Sequence, residues 1–69
     1  MSYFDYHTTA KTLIKQGKLT GWYTTDKHNA ISPALVLCFD DFKRPAMPIR
    51  EYRWNEYMAL LPVELERKF

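Results

Sequence analysis

Ala34-Leu35-Val36-Leu37-Cys38-Phe39 is the longest apolar run in this chain of 69 residues. Ser32-Pro33 precedes it and Asp40-Asp41 follows, which leaves too few residues for a helix of ordinary length. No polar residue interrupts it, so the run suits a strand buried on both faces, where an alternating pattern has no reason to appear. Leu35, Leu37 and Phe39 point to one face and Ala34, Val36 and Cys38 to the other. Such a strand needs a neighbour on each side.

The flanking sequence supplies both neighbours. Residues 19–25, Leu-Thr-Gly-Trp-Tyr-Thr-Thr, are rich in aromatic and β-branched types and read as a strand. Strict alternation puts Leu19, Gly21 and Tyr23 on one face and Thr20, Trp22 and Thr24 on the other. Asp26 to Asn29 form a polar turn cluster, and Pro33 holds Ser32 extended. On the far side, residues 45–50 alternate as a strand does, but Pro45 and Pro48 have no N–H to donate. That segment is an edge, which leaves 34–39 in the middle.

Helical periodicity appears at the two ends of the chain. Tyr3, Tyr6, Ala10, Leu13 and Ile14 fall on one stripe, with Gly17 placed to cap the end, and predict a helix over 3–16. Ser2 is the expected N-cap, with Asp5 in the capping-box position and a Met1–Tyr6 staple. Trp54, Tyr57, Met58 and Leu61 recur at i, i+3, i+4 and i+7 and predict a second helix from near Tyr52 to Pro62. Beyond it, Pro62 opens a last turn, and Leu65 and Phe69 form a pair that docks the terminus. The fold class is therefore α+β in the order α-β-β-β-α. It is a three-stranded antiparallel meander sheet with an N-terminal and a C-terminal helix, a single small domain over 1–69.

Composition narrows the function classes. Hydrophobic residues make up 46% and aromatics 16%, which separates the chain from disordered sequences. Ten basic against eight acidic side chains leave +2, too little to argue for nucleic acid or a membrane by charge alone. One cysteine excludes an internal disulfide, no signal peptide is visible, and no apolar run approaches a bilayer span. The expectation is a soluble cytoplasmic protein with no membrane partner.

Motifs for chemistry are sparse. His7, His28, Cys38, Asp40 and Asp41 are the candidate metal ligands, but no pair has the spacing of a zinc or calcium site. Cys38 lies mid-strand between apolar neighbours, where a thiol acts as a small hydrophobe. Asp40-Asp41 stands at a strand end, where aspartate starts a turn by accepting from the backbone ahead. Gly17 and Gly21 are the only glycines and make no phosphate loop. Neither catalysis nor a cofactor is expected.

Two surfaces remain. If both helices cover one face of the sheet, Trp22, Val36 and Cys38 are left bare on the other, an apolar centre with a polar rim. The expected function is then a small protein-interaction module that binds another protein or a second copy of itself. Association would use that face or the free edge at 19–25 rather than the proline-bearing strand 45–50, and Trp22→Ala would abolish it with the fold intact. The alternative is a nucleic-acid-associated module using Lys43, Arg44, Arg50, Arg53 and Trp54, where cations and an aromatic interleave. Arg50 and Arg53 flank a change from strand to helix, so the four cations are expected to diverge.

Overall fold

A computed structural model describes residues 5–68. Helix α1 spans Tyr6–Lys15, and strands β1 (Leu19–Thr25), β2 (Ala34–Phe39) and β3 (Ala46–Arg50) form an antiparallel sheet in the order β1-β2-β3. A 3-10 turn (Glu51–Arg53), the one-turn helix α2 (Asn55–Met58) and a second 3-10 turn (Val63–Leu65) complete the chain.

Helix α1 starts later than the periodicity predicts. Its N-cap is Asp5, whose carboxylate accepts from the backbone N–H of His7 and Thr8, each at 3.1 Å, and from the Thr8 hydroxyl at 2.7 Å. A charged cap on two unpaired N–H groups, favoured by the helix dipole, fixes the start at Tyr6. Ser2 and Met1, the expected cap and staple, lie outside the described residues. At the other end Gly17 takes φ +76, the left-handed conformation that glycine adopts without strain. Its N–H donates to Ile14 and that of Lys18 to Leu13, which closes the helix in a Schellman motif.

Strand β2 is the centre of the sheet. Ala34, Leu35, Val36 and Leu37 are all fully buried, so both faces are covered. Partner positions across an antiparallel pair share a face, and Leu37 faces Trp22 on one side and Met47 on the other. Here β1 departs from simple alternation. Leu19 pairs with Phe39 and Gly21 with Cys38, so Thr20 is an extra residue, a β-bulge. The bulge puts Leu19 and Trp22 on the same face as Leu35 and Leu37, and turns Gly21 and Tyr23 to the outer face with Val36 and Cys38. The predicted faces are thereby exchanged for residues 21–24 relative to Leu19.

Both helical regions pack on one side. Ala10 and Leu13 of α1 and Tyr57 and Leu61 of the second region join the sheet residues Trp22, Leu35, Leu37, Phe39, Met47 and Ile49 in one buried cluster. The predicted regular helix from Tyr52 to Pro62 does not form. Arg50 offers no side-chain cap, and the backbone at Trp54, Tyr57 and Leu60 donates i→i−3, the tighter 3-10 pattern. The Trp54 indole N–H turns back to the Ile49 carbonyl at 2.9 Å. Met58, expected on the buried stripe, is exposed.

Pro62 opens the expected last turn, which is 3-10 over Val63–Leu65, and from Glu66 on the chain runs extended as a strap. The Trp22 indole N–H donates to the Pro62 carbonyl at 2.8 Å, and the Arg67 N–H donates to the Trp22 carbonyl at 2.7 Å. Glu66 forms a parallel bridge to Trp22, so residues 62–67 occupy the edge of β1 that the sequence leaves free. The Arg67 guanidinium then lies against Gly21, where any Cβ would collide with it. Phe69, the expected partner of Leu65, lies outside the described residues; Leu65 packs against the core.

Two substitutions test this packing. Leu37→Ala should destabilise by about 2–5 kcal/mol, as removal of a buried leucine does. Trp22→Ala should cost about 3–5 kcal/mol by opening the core and releasing the strap, against the sequence expectation of an intact fold. Urea unfolding measures both, and wild-type midpoints would remove β2 and Trp22 from the centre of the core.

Candidate functional site

The apolar patch expected at Trp22, Val36 and Cys38 is not formed. Trp22 is 8% exposed and lies on the core face, beneath the Pro62 strap. Val36 is on the outer face but is fully buried, between Tyr23 and Pro48 on the neighbouring strands. Cys38 is half-buried, with an Arg67 N–H group 3.8 Å from its sulfur. The bulge at Thr20 is the physical reason: it moves the aromatic from one face to the other.

The basic and aromatic set is also dispersed. Lys43 and Arg44 sit on the β2–β3 turn, where Asp41 Oδ1 accepts from the Lys43 N–H at 3.4 Å. Arg50 is at the opposite end of β3, roughly 15–20 Å away by strand rise. Arg53 is bound to Glu56 through Nε and, at 2.9 Å, through Nη2. Trp54 is half-buried with its N–H committed. No surface gathers these five residues. The same turn leaves Phe42 99% exposed at its tip.

What the fold does assemble is a groove of about 500 Å³ on the outer side of β3. Ala46, Pro48 and Arg50 supply one wall, because alternation along β3 turns them away from the buried Met47 and Ile49. Tyr6 and His7, at the start of α1, supply the other. Ile31 joins the lining from the β1–β2 loop, and the exposed Tyr52 lines it beside Arg50. Loop 26–33 is held by the paired backbone of His28 and Ile31, with Asn29 at φ +56, and by the Ser32 hydroxyl on the Asp26 carbonyl. The Ser32–Pro33 peptide is cis. A smaller depression of about 330 Å³ shares Ile31, Arg50 and Tyr52 with the groove and is completed by Ser32, Pro33 and Glu51.

Pro48 and Tyr6 determine how the groove presents its backbone. The Phe39 N–H donates to the Pro45 carbonyl, so the ladder places the N–H and C=O groups of 47 and 49 toward β2 and those of 46, 48 and 50 outward. Proline thus occupies an outward position where the ladder needs no donor. Its carbonyl is taken by the Tyr6 hydroxyl at 2.8 Å.

Behind the groove lies a network of ionisable groups. Tyr57 is fully buried, and its hydroxyl is 2.6 Å from His7 Nδ1. Neutral His7 with its hydrogen on Nε2 would accept the Tyr57 proton in this contact. Burial pushes the Tyr57 hydroxyl up to about 12. Burial also depresses His7, and the nearby Arg53 charge adds to the effect. Lys11 bonds Glu56 at 2.8 Å and lies 5.4 Å from the centre of the Tyr57 ring. Hydrogen bonds from Arg53 and then Lys11 hold the exposed Glu56 carboxyl down at about 2. Lys11 and Arg53 are therefore committed to Glu56.

Among the described residues no three His, Cys, Asp or Glu side chains converge as a metal site would require. No helix is long and apolar enough to cross a membrane among those residues. Of the candidate site residues named from the sequence, His7 and Arg50 line the groove. Ile31, Pro48, Tyr6 and Tyr52 escape sequence reasoning, because a groove between a helix start and a strand edge leaves no periodic signal. Its one legible trace is Pro48, which announces an edge. No family model, curated protein or solved structure matches this chain.

The His7–Tyr57 bond has a pH signature. Because the folded state depresses His7, its stabilising contribution is complete above the ordinary value of 6.5 and is lost as the pH falls through the lower folded-state value. The contribution of Glu56 falls in a separate window, from 4.5 down to about 2. The thermal midpoint should therefore drop as the pH falls below about 6.5, and His7→Gln, whose amide oxygen can accept from Tyr57, should flatten that drop. An equal slope in the two proteins would disconnect His7 from the network.

Proposed function

We propose that this chain is a small protein-interaction module that binds without catalysing a reaction, and that it receives a segment of another protein in the groove between α1 and β3. The observation that carries this reading is the mouth of the groove. Arg50 is exposed there without a hydrogen-bond or ion-pair partner among the described residues, and Tyr52 beside it is 76% exposed. An aromatic ring and an uncommitted guanidinium at the rim of a concave, largely apolar surface are the anchors that dominate protein interfaces. The two surfaces expected from the sequence to take a partner are closed. Trp22 is covered, and the edge of β1 is occupied by the strap.

The test is selection of 12-residue peptides from a random library on the folded protein. Recovered peptides should lose binding when the groove is filled by Ala46→Trp or stripped by Tyr52→Ala. Both residues are exposed, so neither change should move the unfolding midpoint. Peptides indifferent to both substitutions, or none recovered, would overturn the reading. So would a dimer of the unaltered chain, seen by sedimentation, that the same substitutions dissolve, since the occupant would then be a second copy.

A further inference from the structure

We infer that the segment taken by the groove carries a carboxylate next to an apolar side chain, and that Arg50 selects it; this rests on the groove being the binding site. The first argument concerns the backbone of β3. A partner cannot extend the sheet along this edge, because Pro48 has no N–H and its carbonyl already accepts from Tyr6. Affinity and selectivity must then come from side chains.

The second argument concerns charge. Lys11 and Arg53, the other cations of the adjoining network, are both paired with Glu56, and His7 is held neutral. Arg50 is left as the standing charge of the groove. A segment that covered it with apolar atoms alone would bury an unpaired guanidinium, which strongly disfavours neutral ligands. A carboxylate instead receives two parallel N–H bonds from the planar fork. Glu51 lines only the smaller depression, so an incoming carboxylate is repelled there and favoured on the Pro48 side. On that side Ala46 and Pro48, with Ile31 shared between the two depressions, provide the apolar surface for the neighbouring side chain. Phosphate recognition typically gathers several arginines, and only one stands here.

The experiment uses the selected peptides, synthesised with acetylated and amidated ends so that their only carboxylates are Asp or Glu side chains. Groove-dependent peptides should be enriched in Asp or Glu beside Leu, Ile, Val or Phe. Replacing that acid by its amide should weaken binding about tenfold or more in fluorescence anisotropy at neutral pH. Arg50→Glu should reverse the preference, so that a fresh selection yields Lys or Arg at the same position. Arg50 has no hydrogen-bond or ion-pair partner among the described residues, and an unchanged unfolding midpoint for Arg50→Glu confirms that the comparison is between folded proteins. Peptides that depend on Ala46 and Tyr52 but show no acid preference, or bind equally as acid and amide, would overturn the role of Arg50 while leaving the groove as the site. Absence of any groove-dependent peptide would overturn both.

Discussion

A buried tryptophan imposes two demands at once: its large ring needs cover, and its N–H needs an acceptor. In this chain the segment after Pro62 meets both. The Pro62 carbonyl takes the Trp22 indole N–H, and the backbone that follows bonds to Trp22 in turn. Much of the architecture depends on that exchange. It carries the C-terminal residues across the edge of β1, draws Leu65 to the core, and sets Arg67 over Gly21. The extended path beyond Leu65 also explains why the terminus does not continue as a helix. Its hydrogen-bonding groups are matched to a strand edge.

The parts of this fold that were legible in the sequence are those in which one residue type has one physical meaning. An unbroken apolar run between two turn signals could only be a doubly buried strand, and Pro48 could only lie on an edge. Gly17 closes α1 as a left-handed cap should. The bulge was not legible, because Thr20 looks like any other strand residue. Only the pairing of Leu19 with Phe39 and Gly21 with Cys38 exposes it. That single extra residue turned the expected binding patch at Trp22 into core. Periodicity misled at Trp54, Tyr57, Met58 and Leu61 for a related reason. Trp54, Tyr57 and Leu61 do pack against the sheet, but successive tight turns deliver them, and Met58 falls outside. Spacing records which residues return to a surface, not the hydrogen bonds that bring them there. For the site, the sequence marked Arg50 as a cation but could not show that its neighbours would be neutralised and it would not.

Small sheets must also dispose of two edges, since unpaired backbone invites indiscriminate strand pairing. This chain treats them differently. At β1 the strap supplies a bridge and a guanidinium. At β3 proline removes a donor and Tyr6 occupies the matching acceptor. The β3 solution blocks a ladder but adds little bulk, so a concavity survives between the strand and the start of α1. The groove is thus a consequence of how the edge is protected.

Electrostatics then give that concavity its character. Glu56 draws Lys11 and Arg53 together at α2, and the Tyr57 hydroxyl engages His7 at the inner wall. Had any of these cations been left unpaired beside Arg50, the groove would present a diffuse positive field and a weak preference among anions. With them paired, Arg50 is the cation of the groove lining that has no hydrogen-bond or ion-pair partner among the described residues. A lone directional charge in apolar surroundings discriminates through the penalty for leaving it unmatched, which grows as water is excluded. On the proposed reading, selectivity would reside less in the attraction of the right segment than in the exclusion of neutral ones, and the pairing of Glu56 with its two cations would make that exclusion local to Arg50.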